Sequence, residues 1–487
     1  MPFLPSRTSS SRSHVEQTRP DSNCVEVWHY GDEKLPLLQI PWNDQLNAEL
    51  VCNLVAQHCG VPRLTGNLFG LYDAKEKVWL CPSEPIAAPA SGSEQKLVYR
   101  IRFHTLTANP SNGSSGFSLL EECVVSYMFR QYRDSFRNDE IELSTEEKLG
   151  LIVLDFMQHV KEDGINVANL NGRMRFSHFL PKSLNSGLSW WDKRKLRRKV
   201  RSALTNFGTD TLDAFSFKIM FLVSLSEETK SWGTEQFTTN GGDVYEVGGC
   251  KGVQKINKCG KGEDVQADDS FQFEDIINIT IYPPKENDST LFQINRRSTP
   301  PMFLEMKTSQ EAKSFASLID GYYRLLVDYY HYLNEKIAPP SLVQLVKNRC
   351  HGPIPLSKAK QKIEEAGRQE GMYLIRQNPE DHNSYCLTVR IEHELKNFKI
   401  NHYEDDHVGM DQQPKFKSLR SFVEYYRKRE NSWCLEGQLK KAVPIEPKDD
   451  GDSKWSQHKA SSMSLEGPPE VLQRSFRGPP EVLQMSS

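Results

Sequence analysis

Along this chain the spacing of apolar residues changes three times: alternation, then a helical period, then alternation again, then a mixed order. Each period supports one kind of element, so the sequence must fold as several packed units. Its 487 residues agree, because a single core stops growing well below that length.

Residues 1–22 are rich in Ser, Arg and Pro and predict a disordered tail, without the apolar core of a signal peptide. From Cys24 the pattern "CVEVWHY" and "LPLLQI" predicts a hairpin. The following stretch puts Leu46, Leu50, Leu54 and Val55 on one helix face, with Asn43 or Asp44 as N-cap and Gly60 as stop. Strands follow at "NLFGLYD", "VWLC" and "KLVYRIRF", so 23–105 has the order of a ubiquitin-like roll.

After a Ser/Gly/Asn-rich loop, residues 116–228 read as a helical bundle. Leu119, Val124, Tyr127 and Met128 fall at helical spacing, and Ser144 with Glu147 forms a capping-box pattern. Residues 232–330 return to six short strands and close on the amphipathic stretch "SQEAKSFASLIDGYYRLLVDYY", the order of a pleckstrin-like sandwich. Residues 331–344 predict a linker whose prolines break any helix. Residues 345–445 run helix, three strands, helix. The tail, 446–487, repeats "GPPEVLQ" at Gly467 and Gly478 and reads as disordered low complexity.

Net charge is −3, so no global field selects nucleic acid or membrane. Ten scattered cysteines form no C-x-x-C pair and predict free thiols in a reducing compartment. The histidines lack metal-ligand spacing; no metal and no cofactor is expected.

The first three blocks resemble the three lobes of a FERM domain. The fourth, with "HGPIPLSKAKQKIEEAG" leading into "GMYLIRQNPEDHNSYCLTV" and "LKNFKI", resembles an SH2 domain. The whole is an α+β multidomain chain: ubiquitin-like roll, helical bundle and pleckstrin-like β-sandwich, followed by an SH2-like domain. That order, with "NLFGLYD", "SFASLIDGYYRL", "HYLNEKIAPP" and "CHGPI", resembles the N-terminal half of the Janus kinase family of non-receptor tyrosine kinases. The sequence has no V-A-I-K lysine, H-R-D loop or D-F-G metal site, and no G-x-G-x-x-G loop after a strand. No catalytic residue is assigned, and phosphoryl transfer is not expected of this polypeptide.

The resemblance implies that Arg376 occupies the strand arginine that forks onto a phosphotyrosine phosphate, a contact only guanidinium geometry supplies. It also implies that Asn378 stands where the family has a serine, that Lys399 faces the phosphotyrosine ring, and that Leu356 replaces a second arginine. Two readings stay open for Arg376: weak capture of a phosphotyrosine peptide or acidic residue, or a guanidinium satisfied by carbonyls and by carboxylates such as Glu380 or Asp381.

The second charged feature is "KRKLRRKVR". Lys193, Arg194, Lys195, Arg197, Arg198, Lys199 and Arg201 make seven cations in nine residues. As a nucleic-acid signal it lacks aromatic partners and a recognised fold, and no nucleic acid is expected. It is either a solvated helix face or a surface toward an anionic membrane or a receptor segment.

The resemblance implies a cytokine-receptor-binding module of JAK-STAT signalling. It would dock on the box-1 and box-2 segments of receptor tails and lie in the cytoplasm, peripheral to the inner face of the plasma membrane or endomembranes. Two alternatives stand beside it: part of an active tyrosine kinase whose catalytic domains lie beyond this sequence, and a membrane–cytoskeleton FERM adaptor.

Overall fold

The computed structural model describes residues 23–32, 36–89, 95–104, 120–164, 176–187, 212–229, 231–256, 270–297, 299–348, 350–403, 407–431 and 433–444, with 189, 194, 195, 198 and 202 singly. The two predicted tails lie outside these residues.

In the first lobe β1 (Cys24–Trp28), β2 (Leu37–Pro41), β3 (Phe69–Asp73), β4 (Val78–Trp79) and β5 (Leu97–Ile101) form a sheet in the order β2-β1-β5-β3-β4. β1 and β5 are parallel and the other pairs antiparallel, with helix Ala48–His58 on one face. Two local expectations fail here. The N-cap is Asn47, whose side chain accepts from the Leu50 N–H, not Asn43 or Asp44. The buried face carries Ala48, Val51, Val55 and Ala56, leaving Leu50 and Leu54 exposed. Leu46 precedes the helix and is buried from outside it, and packing turns the neighbouring stripe of Ala48, Val51 and Val55 inward.

Helices Glu122–Arg137, Thr145–Glu162 and Ala214–Glu228 make the second lobe. The Ser144–Glu147 capping box is present, Ser144 accepting from the Glu147 N–H while Glu147 accepts from the Ser144 N–H. Val124, Tyr127 and Met128 are buried as their spacing predicts; Leu119 lies outside the described residues.

The third lobe has two three-stranded antiparallel sheets. One is β6 (Thr234–Thr238), β7 (Val244–Gly248) and β8 (Gly252–Ile256); the other is β9 (Ile276–Ile281), β10 (Thr290–Arg296) and β11 (Met302–Met306). Helix Ser309–Leu326 closes them, its buried Phe315 meeting Phe237 and Tyr245 from one sheet and Phe292 from the other.

The linker does not lack a helix, as its prolines predicted: Pro340–Asn348 is helical. Pro340 stands at the first helical position, where a missing N–H costs nothing. Beyond it, β12 (Met372–Gln377), β13 (Ser384–Ile391), β14 (Glu394–His402), β15 (Val408–Gly409) and β16 (Lys441–Ala442) pair in the order β15-β14-β13-β12-β16. Met372 and Leu374 pack toward helix Leu356–Glu365, while Tyr373 and Ile375 pack toward helix Leu419–Tyr426.

One apolar core runs unbroken through the first three lobes, whereas the fourth has its own. The fourth is joined to the rest by hydrogen bonds and by packing of Gly352 and His351 against Tyr329 and Tyr330.

Candidate functional site

β12 alternates its side chains between two faces, and Arg376 and Gln377 part company there. Arg376 points to the side of helix Leu356–Glu365. Ladder register aligns it with Cys386 on β13, and Cys386 with Lys399 on β14, so the three form one row across the sheet.

Arg376 is 3 % exposed. One guanidinium nitrogen donates to the Ile354 carbonyl at 3.0 Å and another to Asn397 Oδ1 at 3.3 Å, an oxygen that also accepts from Thr388 at 3.0 Å. The expected carboxylate partners are not its neighbours. Asp381 instead pairs with Lys399 at 2.9 Å, and the Glu380 N–H is turned to Asn378 Oδ1 at 3.2 Å. Burial works to raise the Asp381 pKa, but hydrogen bonds from Lys399, the Asn383 N–H and Ser384 outweigh it and hold the carboxyl at about 2. The Lys399 pKa is raised in turn, first by its hydrogen bond to Asp381. Lys399 is 54 % exposed at its side chain, whereas Arg376 is buried.

Asn378 shapes the loop between β12 and β13. Its amide donates to Ser384 Oγ at 2.9 Å, and its backbone N–H to the Ser384 carbonyl at 3.0 Å. Leu356, where the resemblance implies a missing arginine, is exposed at the start of its helix. Asn397 and the Ile354 carbonyl escaped the sequence reading. Asn397 had one signal, its place two residues before Lys399 and hence on the same face.

The loop after Arg376 lies against the first lobe. The Leu64 N–H donates to the Pro379 carbonyl at 3.2 Å, Gln57 to Asn383 Oδ1 at 3.3 Å, and His382 Nε2 to the Val61 carbonyl at 2.9 Å. The linker helix adds a second joint, where the Ser341 N–H donates to Glu49 at 2.8 Å and its hydroxyl bonds the same carboxylate. Burial raises the Glu49 pKa, against the pull of those bonds. A third joint joins the stretch after helix Ser309–Leu326 to the fourth lobe: the Gly352 N–H donates to the Tyr330 hydroxyl at 2.7 Å. Between these joints lies a cavity of about 90 Å³ lined by Glu49, Arg63, Arg324, Tyr329, Ser341 and Gln377.

Of the basic run, Arg194, Lys195 and Arg198 are helical and exposed; Lys193, Arg197, Lys199 and Arg201 lie outside the described residues.

Family models match along the chain in the same order: the FERM F1 ubiquitin-like domain over 25–112, the FERM F2 acyl-CoA binding protein-like domain over 117–225, and the SH2 domain over 350–426. The chain is 27 % identical to rat (Rattus norvegicus) tyrosine-protein kinase JAK3 over 377 residues, covering 73 % of this chain and 34 % of that protein. It is 25 % identical to Danio rerio tyrosine-protein kinase JAK1 over 498 residues, covering 82 % and 43 %. The chain therefore spans well under half the length of these relatives. A solved complex of the FERM and C-terminal domains of Drosophila Merlin matches 62 % of this chain and 95 % of its own, at 13 % identity and a TM-score of 0.45.

Proposed function

Because this chain is a FERM–SH2 region of the Janus kinase type, we propose that it docks on the box-1 and box-2 segments of cytokine-receptor tails as one body, in JAK-STAT signalling. The observation that supports this reading is the seam. The loop after Arg376, which carries Asn378, is bonded to the first FERM lobe through Leu64, Gln57 and Val61. Two Arg376 nitrogens are taken by Ile354 and Asn397, its buried Nε has no hydrogen-bond partner among the described residues, and Lys399 is taken by Asp381. The loop bonds favour holding the two domains together, and the contacts inside the SH2 domain that already take Arg376 and Lys399 compete with a phosphopeptide, so phosphotyrosine binding is weak and receptor docking is independent of it. Docking would place the protein in the cytoplasm at the inner face of receptor-bearing membranes. Phosphotransfer is a property of the longer relatives and lies outside what the FERM and SH2 domains supply.

The test is capture of the purified chain by receptor juxtamembrane peptides, compared with peptides mutated in box 1. Capture by the intact segment and its loss with the mutant is the expected result. Equal capture by both peptides, or capture that appears only after tyrosine phosphorylation, would sink the reading.

A further inference from the structure

The segment that closes the SH2 domain carries a second cationic surface. Residues 415–441 hold eight Lys and Arg against three Glu, in a chain whose net charge is −3. Two of those glutamates are engaged with Arg420 and Lys396. Arg427, Lys428, Arg429, Lys440 and Lys441 are all exposed, and among the described residues none of Lys428, Lys440 and Lys441 has a carboxylate partner.

The fold brings two of these basic stretches together, 427–429 and 440–441. The Leu439 N–H donates to the Tyr426 carbonyl at 3.3 Å and the Arg427 guanidinium to the Lys440 carbonyl at 3.3 Å, so 439–441 lies along the end of helix Leu419–Tyr426. Two short 3₁₀ turns follow that helix, Arg429–Asn431 and Trp433–Leu435. Leu435 is fully buried and anchors the second turn; Trp433 is 70 % exposed, the most exposed large apolar side chain among the described residues.

We propose that the face made by Arg427, Lys428, Arg429, Trp433, Lys440 and Lys441 seats on an anionic lipid bilayer, with the Trp433 indole entering the headgroup layer. A solvated basic face accounts for the cations but gives no reason to present an indole. An acidic peptide would pair with the cations, but an indole that stands out from the surface offers such a chain no groove. A headgroup layer satisfies both at once: anionic lipids attract the cations, and the indole suits the boundary between polar and apolar layers. The proposal is independent of receptor docking, since a vesicle without receptor tests it.

The full chain is sedimented with phosphatidylcholine vesicles with and without phosphatidylserine, at low and high salt. Binding should require phosphatidylserine and fall with salt. Each neutralised cation in Lys428→Gln/Lys440→Gln/Lys441→Gln should weaken it roughly fivefold. Phosphatidylcholine brominated on its acyl chains should quench part of the fluorescence of the eight tryptophans, and Trp433→Phe should abolish that part. Every altered side chain is exposed, so melts should match the parent; if the triple variant melts early, Lys428→Gln alone and Trp433→Phe still give the answer. No phosphatidylserine-dependent binding, full binding by the neutralised variants, or quenching unchanged in Trp433→Phe would each overturn the proposal. The second of these would move the contact to a surface such as the 193–201 run, and the third would leave a purely electrostatic partner.

Discussion

Two nitrogens of the Arg376 fork, the group that would meet a phosphate, are bonded inside the SH2 domain. Its two bonded nitrogens reach a backbone carbonyl and an amide oxygen on different elements, and an ammonium on a shorter, flexible stem cannot meet both. Arg376→Lys should therefore cost about 1.5–3 kcal/mol, the range for hydrogen bonds to a charged group. Thermal melts and calorimetric titration with a phosphotyrosine peptide, run on both proteins, read the outcome. A lowered melting temperature beside weak peptide binding in both is expected; strong binding by the parent that the variant loses would restore the pocket as a phosphate site.

Between elements, the seam rests on close approach as well as on hydrogen bonds. A Cβ on Gly352 would stand 2.1 Å from Tyr329 Cε1, in a stretch whose next residue accepts the Gly352 N–H. Gly352→Ala must push Tyr329 away and should cost about 1–3 kcal/mol, as overpacking does. Because the SH2 domain has its own core, it should survive while its hold on the FERM lobes loosens. Faster proteolytic cleavage between residues 331 and 350 is the expected sign; an unchanged digestion pattern and melt would show that the seam tolerates the methyl group.

For the whole molecule, the three FERM lobes meet at His104. Its ring bonds the Tyr132 hydroxyl and packs edge-on against Trp232, while its backbone N–H donates to Tyr322 at 3.2 Å, so one residue touches the second and third lobes from the end of the first. Burial lowers the His104 pKa from 6.5 to about 4. The unfolded chain then binds the proton more readily than the folded one, so stability is present above pH 6.5 and is lost as pH falls from 6.5 toward 4. The shift corresponds to roughly 3 kcal/mol. Melts of the parent and of His104→Phe across that window should differ in slope, with the variant flatter; parallel curves would assign the acid sensitivity to other groups.

Periodicity and turn residues by themselves determined the lobes, their order, the Ser144–Glu147 cap and the strand that carries Arg376, because these depend on neighbours within a few positions in the chain. Which face of a helix turns inward was less secure: packing takes Ala48, Val51 and Val55 and leaves Leu50 and Leu54 exposed. Tertiary structure alone decided which acceptor each charge meets. Asp381 lies five residues from Arg376 yet pairs with Lys399, which ladder register brings across two strands. It also decided that the loop beyond Arg376 belongs to an interface with Val61 and Leu64, more than 300 residues away, and that Trp433 faces outward while Leu435 turns in. Hydrogen-bond partners are chosen by distance in space, and a single sequence records only distance along the chain.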